Sequence, residues 1–396
     1  MKFFDTRLGD LLFEDRNVVD PNSSEAKELP YLSLEDIASG SGKITMSAAQ
    51  LGDVGKSMTF RFDERHILYG KLRPYLNKVA LPNFTGRCTT ELIPLLPKDG
   101  VSREYLAFLL RTSKVVEAAM RQKTGARMPR ADIRNLFKLD VTVPSFLSDQ
   151  QQIAKELEIQ LAAVDRARAA TEERLSAAKR LAVAYVREVF ESQAASTWPR
   201  VPLGDVCFGR AQYGLSEKSN GDVLGIPILG MVNIYGGLIV WDNLRHITVS
   251  DEDKEKYLLH RGDILFNRTN SAELVGKAAV FEDDREAVFA SYLVRFRLKT
   301  YVADPHFVTF YINSSTGRRF IESKMARAIG QVNINPGIML KMPIPLPDLP
   351  TQQNLGATLR ERLFTVRRLE QSSEDELTSI NNLSGALLRE AFEVAE

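Results

Sequence analysis

Two stretches decide how this chain of 396 residues is organised: DQQQIAKELEIQLAAVDRARAATEERLSAAKRLAVAYVREVFES at 149–192 and TQQNLGATLRERLFTVRRLEQSSEDELTSINNLSGALLREAFEVA at 351–395. Both are rich in Ala, Glu, Gln, Leu and Arg. The first has no Gly or Pro and the second only Gly356 and Gly385 as weak points, so each predicts one long helix. They align at a constant offset of 202 without a gap, Gln150-Gln151 falling on Gln352-Gln353. Ile153, Leu157, Leu161 and Val164 match Leu355, Leu359, Leu363 and Val366. Leu175, Ala178, Leu181 and Tyr185 match Leu377, Ile380, Leu383 and Leu387, and REVFE (187–191) matches REAFE (389–393). The apolar positions advance by threes and fours, as a seam against another helix requires. Arg168 and Glu370 interrupt the stripe, which predicts looser packing at mid-length. Each helix would span roughly 60–65 Å.

Outward from the helices, each is preceded by about 150 residues of strand-like and loop-like composition, and these stretches also correspond. LGD at 8–10 aligns with LGD at 203–205, HILYGKLRPYLNKVAL (66–81) with DILFNRTNSAELVGKAAV (263–280), and GARMPRADI (125–133) with GQVNINPGI (330–338). The offset drifts from 195 through 197 to 205 before settling at 202, the pattern of variable loops joined to an invariant helical spacer. Pro144, then Ser148 with Gln151 three residues on, predicts a capping box for the first helix. MPIPLPDLP (342–350) is a stiff lead-in to the second, with Thr351 as its expected N-cap, and STWPRVP (196–202) reads as a linker. The expected fold is α+β: two tandem globular α/β-type heads, 1–147 and 196–349, separated by two long antiparallel coiled-coil helices, 148–195 and 350–396. An approximate two-fold would relate the halves of this internal repeat, with a head at each end of the helix pair.

Composition narrows the function. With 44% hydrophobic and 26% charged residues the chain is a globular type, and 52 Lys plus Arg against 51 Asp plus Glu exclude a polybasic binder. No apolar run approaches the ~20 residues of a membrane helix, and Met1 to Asp10 has no secretory core, so no membrane partner is expected. Cys88 and Cys207 cannot staple a chain of this size, which points to a reducing, cytoplasmic setting. With four scattered histidines they offer no metal-ligand set, so no metal is expected. LGDVGKS (51–57) has Gln50 where a phosphate-binding loop needs its first glycine, and Asn333-Ile334-Asn335-Pro336 is not the Asn-Pro-Pro-aromatic motif of an amino-methyltransferase. Glu252-Asp253-Lys254 has nuclease-like spacing without an upstream Asp. No catalytic residue is expected.

A two-headed spacer suits a partner with two addresses at a fixed separation, and duplex DNA is such a partner. Local charge agrees: residues 61–138 carry 16 basic and 7 acidic groups, and residues 287–341 carry 8 and 2. Such stretches could hold phosphates while Asn, Gln and Arg read base edges. The DNA-binding candidates in the first head are Lys71, Arg73, Asn77 and Lys78 of GKLRPYLNK, with Arg127 and Arg130. Those in the second are Asn267, Arg268, Thr269, Asn270 and Ser271, with Lys277, Gln331 and Asn333. Arg318, Arg319, Lys324 and Arg327 read instead as the solvated face of a helix.

ILYGKLRPYLNKVAL, WPRVPLGDV, GDILFNRTNS…GKAAV and the two proline-then-Gln-Gln stretches resemble the specificity subunit of type I restriction-modification systems. The likeness covers the whole chain, and the order of its short motifs, repeated twice, carries it. The first head departs by having GKLRP in place of NRTNS, so contacts do not transfer between heads one by one. The resemblance implies two target-recognition domains, each reading one half of a bipartite double-stranded DNA target. It implies a helix pair that sets the separation and docks two methyltransferase (modification) subunits, joined by restriction/translocase subunits. S-adenosylmethionine, ATP and Mg would sit on those partners and no cofactor on this chain, which would be non-catalytic. The alternatives are a DNA methyltransferase or nuclease with an unfamiliar site, and a helical adaptor whose heads bind proteins.

Overall fold

The computed structural model describes residues 1–45, 57–121, 127–216, 225–271, 274–328 and 331–393. Of the motifs above, nearly all of LGDVGKS, together with Gly125, Ala126 and Gly330, lies outside them, as do the side chains of Asn270 and Gln331. The chain divides into two compact units, Met1–Thr171 with Glu376–Glu396, and Glu172–Asp375. The two long helices, Leu147–Phe190 and Leu349–Glu393, each contribute one half to each unit.

The first unit is built on a four-stranded sheet in the order Leu12–Glu14, Leu92–Pro97, Ile67–Gly70, Val79–Ala80. The second has a six-stranded sheet whose centre repeats that arrangement: Ile264–Asn267 lies antiparallel between Leu293–Phe296 and Ala278–Val280. The matched runs ILYG and ILFN are buried at all four positions, because in each unit they run through the middle of a covered sheet. A helix covers each sheet, Arg103–Leu110 capped by Ser102 and Pro305–Asn313 capped by Asp304.

Within each unit the two helix segments run antiparallel. In the first, Arg168 Nε donates to Asn381 Oδ1 at 3.1 Å and Thr171 Oγ1 to Glu376 Oε1 at 3.2 Å. In the second, Arg362 Nη1 meets Glu188 Oε2 at 3.0 Å and stacks on Tyr185 at 4.9 Å. Of the seam positions, Leu157, Val164, Leu359, Leu363, Val366 and Ile380 are buried, and Ile153, Leu161, Leu175, Leu355, Leu377 and Leu387 are half-buried. Leu181 and Leu383 leave the seam, at 40% and 46% exposure. After Ala178 and Ile380 the line steps by four residues, not three, to the half-buried Ala182 and Ser384, as 3.6 residues per turn requires. The interruption at mid-length is polar but partnered: buried Glu370 accepts from the Tyr235 hydroxyl at 2.6 Å, with Arg367 at 3.6 Å.

The helix starts differ from the sequence reading. The first helix begins at Leu147, which puts Ser148 inside it and not at its cap. The second is capped by Asp348, whose carboxylate accepts from both the Thr351 N–H and the Thr351 hydroxyl at 2.9 Å. An ionised carboxylate outcompetes a hydroxyl for those donors. STWPRVP is not a loose linker: Trp198 packs edge-on to Phe307 at 5.8 Å, and Arg200–Pro202 pairs with Pro343–Pro345. Gly385 meets only the far end of Arg389, so Gly385→Ala is expected to raise stability by about 1 kcal/mol in a thermal melt.

Candidate nucleic-acid interface

The candidate loops are brought together the same way in both units. In the first, Leu72 bridges Arg130, the Arg73 N–H donates to Pro129 O at 2.7 Å, and the Ala131 N–H to Lys71 O at 2.8 Å. In the second, Thr269 pairs with Asn333, and the Ile334 N–H donates to Arg268 O at 2.9 Å. The turn leading into a further strand supports each ledge: the Lys71 N–H donates to Glu91 O at 3.0 Å, and the Arg268 N–H to Tyr292 O at 3.1 Å. Stretches some sixty residues apart in sequence are thus joined by backbone hydrogen bonds at equivalent places.

Side chains on these ledges divide into holders and presenters. Lys78 Nζ donates to Leu34 O at 2.8 Å, and Asn77 Nδ2 to Arg111 O at 2.7 Å. Arg130 forms a fork to Glu91, with nitrogens at 2.9 and 3.0 Å, and the carboxylate raises its pKa further. Those three are committed to the fold. Lys71 and Arg73 are half-buried, and Arg127 and Tyr75 are exposed. Arg73 adopts φ +52°, uncommon for a side chain of this size, as the chain turns into Pro74.

In the second unit Asn267 is buried, its Nδ2 donating to Leu274 O at 3.2 Å, so it braces the loop from beneath. Thr269 donates its hydroxyl to Asn333 Oδ1, which closes that pair. Ser271 accepts the Leu274 and Val275 N–H groups through its carbonyl, and Lys277 O accepts the Asn267 N–H. Arg268 donates Nε to Ser291 O at 3.1 Å, while its guanidinium lies 5.0 Å over the Tyr213 ring. A cleft of about 240 Å³ opens here, lined by Tyr213, Arg268, Lys324, Asn333 and Asn335 among others. Larger clefts, about 920 Å³ in the first unit and 650 Å³ in the second, lie along the long helices; of the ledge residues named above, Tyr75 and Asn77 line the first.

Sequence reasoning missed Tyr213, Tyr292 and Asn335, and placed Lys324 on a merely solvated face. Each comes from a different element, so only the fold gathers them. It also overcounted positive charge. Arg295 is buried with Asp263 at 3.1 Å, and the half-exposed Arg297 meets the same carboxylate at 2.8 Å, so one is out of reach of a polyanion and the other is paired. Cys88 and Cys207 are free, buried thiols; burial pushes Cys207 up to about 12 and Cys88 higher still. Glu252-Asp253-Lys254 lies in the short helix Asp251–Tyr257, where Lys254 pairs with Glu286 at 2.8 Å.

Residues 195–378 match the family model described as the type I restriction modification DNA specificity domain. The StySPI specificity subunit of Salmonella potsdam is 24% identical over 98% of this chain and 79% of its own length. Over nearly its whole length the chain is therefore similar to type I restriction specificity subunits, and the family's DNA specificity domain lies in its second half. The EcoKI specificity subunit of Escherichia coli K12 is 23% identical, again over 98% of this chain and 79% of its own. Among solved structures, a chain from a study of complex assembly and conformational transition in a type I R-M system superposes with a TM-score of 0.70. It is 20% identical and covers 98% of this chain and 97% of itself. The HsdS subunit of Thermoanaerobacter tengcongensis gives 0.55 at 21% identity, covering 98% and 96%. These likenesses show that the α+β fold is shared with those solved structures.

Proposed function

We propose that this chain is the specificity subunit of a type I restriction-modification system and recognises duplex DNA at two separated half-sites, one through each ledge. The observation that carries the reading is the repeated ledge itself: 71–73 on 129–131, and 268–270 on 332–334, each flanked by cationic side chains. Lys71, Arg73 and Arg127 present charge in the first, Arg268 and Lys324 in the second. Base choice differs between the heads because the ledge side chains differ. The helix pair sets the unread spacer and docks two modification subunits, with restriction/translocase subunits completing a cytoplasmic assembly. Those partners bring S-adenosylmethionine, ATP and Mg, and this chain brings affinity, register and sequence choice.

Footprinting of the full chain, assembled with its modification subunits, tests this. One sequence protected in two blocks is expected; uniform protection or none contradicts it. Two further outcomes are expected. Deleting four residues from each helix shortens the rod by ~6 Å and preserves its face, which corresponds to about two base pairs of spacer. Spacer preference measured on a duplex series should shift accordingly. Lys324→Ala should weaken binding alike on all sequences and lower the salt slope by about 1, read from titrations at several salt concentrations.

A further inference from the structure

The repeated glutamine at the start of each long helix is buried and bonded at both its amide oxygen and its amide nitrogen. Gln150 Oε1 accepts the Ser102 N–H at 2.9 Å while its Nε2 donates to Pro144 O at 3.0 Å. Gln352 repeats this 202 residues later: Oε1 accepts the Asp304 N–H at 3.0 Å, and Nε2 donates to Pro347 O at 2.8 Å and Val302 O at 3.2 Å. Both side chains are almost fully inaccessible, at 3% and 0%. Ser102 and Asp304 are the N-cap residues of the two sheet-covering helices. Each amide therefore ties three segments at one point: the long helix, the proline lead-in before it, and the cap of the covering helix of its own head.

The neighbour one turn on is matched to the cap. Where the cap is Ser102, the long helix carries the buried Ala154. Where the cap is the longer Asp304, it carries Gly356, and a Cβ there would lie 2.5 Å from Asp304 Oδ1. At the second joint the missing side chain of Gly356 thus makes room for the longer cap. A contact serving stability alone has no need of a primary amide that uses both its donor and its acceptor on backbone atoms. Such a group fixes an orientation, since either bond alone leaves a hinge.

We propose that Gln150 and Gln352 are positioning residues that lock each head at a fixed angle on its long helix, so that the rod's length is transmitted to the DNA as one spacer. The inference rests on the bipartite reading above. It assigns sharpness of spacing to the joints and choice of bases to the ledges.

The test selects duplexes with randomised half-sites at varied separations. It uses the full-length chain reconstituted with its modification subunits, as wild type, Gln150→Met and Gln352→Met. The wild type should return one separation. Each Met variant should keep the bases of both half-sites yet accept separations one base pair longer or shorter within about tenfold of the preferred one. If the variants melt at lower temperature but stay as sharp in spacing as the wild type, the glutamines are braces only and the proposal is wrong. If the wild type itself returns no bipartite sequence, the underlying reading has failed, and the joint with it. Should the Met variants not fold, Gln150→Glu and Gln352→Glu retain size and the acceptor, and are judged by the same spacing profile.

Discussion

Asp263→Ala is expected to cost about 3–5 kcal/mol, the largest loss of any single substitution considered for the second unit. The Asp263 carboxylate is buried and receives Arg295 Nη1 at 3.1 Å, Arg297 Nε at 2.8 Å and the His260 N–H at 3.1 Å. Arg295 is equally buried, on the strand beside Ile264–Asn267, and desolvation already lowers its pKa. Removing the carboxylate leaves a buried guanidinium with neutral partners, Leu258 O at 2.6 Å, Lys256 O at 3.0 Å, the Gln212 amide and the Phe289 ring. The chain's two tryptophans, Trp198 and Trp241, both lie in the second unit, so their fluorescence in urea reports that unit alone. A loss below ~1 kcal/mol would mean the pair contributes no more than a surface one. Because the strand leads directly into Arg268, recognition of only one half-site should fail with it.

Gly356→Ala is expected to lower stability by about 1–2 kcal/mol, although alanine is the better helix former by ~1 kcal/mol. The added methyl would sit 2.5 Å from Asp304 Oδ1 and 3.2 Å from the Phe307 nitrogen. Asp304 cannot swing clear without releasing the Phe307 N–H, which it caps at 2.8 Å. Asp304→Ser added to Gly356→Ala recreates the Ser102/Ala154 pairing of the first unit and should recover most of the loss. Tryptophan-monitored urea melts of the single and double variants decide it. Equal losses in both would show that the cap's size is not what excludes the methyl. The opposite sign expected at Gly385 makes the contrast internal: two glycines in one helix, one filling a close approach and one open.

Much of the architecture was legible because a long helix declares itself over many residues. A gapless 202-residue offset between two such helices left little room for another organisation. The ledges were legible for a related reason, since the repeat aligned GKLRP with NRTNS and GARMPR with GQVNIN before any contact was known. What sequence could not separate was a side chain that presents itself from one that is spent. Asn267, Asn77, Lys78 and Arg130 have the composition of DNA contacts, yet each is bonded inside its own head. Arg295 and Arg297 swelled a basic stretch whose charge Asp263 neutralises. Tyr213 and Lys324 lie about 55 residues to either side of Arg268 in sequence, and only folding makes them its neighbours. At Asp348 the miss was local: a hydroxyl was favoured three residues past a carboxylate better suited to the same donors.

The base profile of each half-site, read by sequencing selected duplexes, tests the central claim most directly. Lys71→Ala with Arg73→Ala is compared with Arg268→Ala. The first pair is expected to disturb one half-site and Arg268→Ala the other, each leaving the opposite half unchanged. Disturbance of both halves by either change, or of neither, would contradict it.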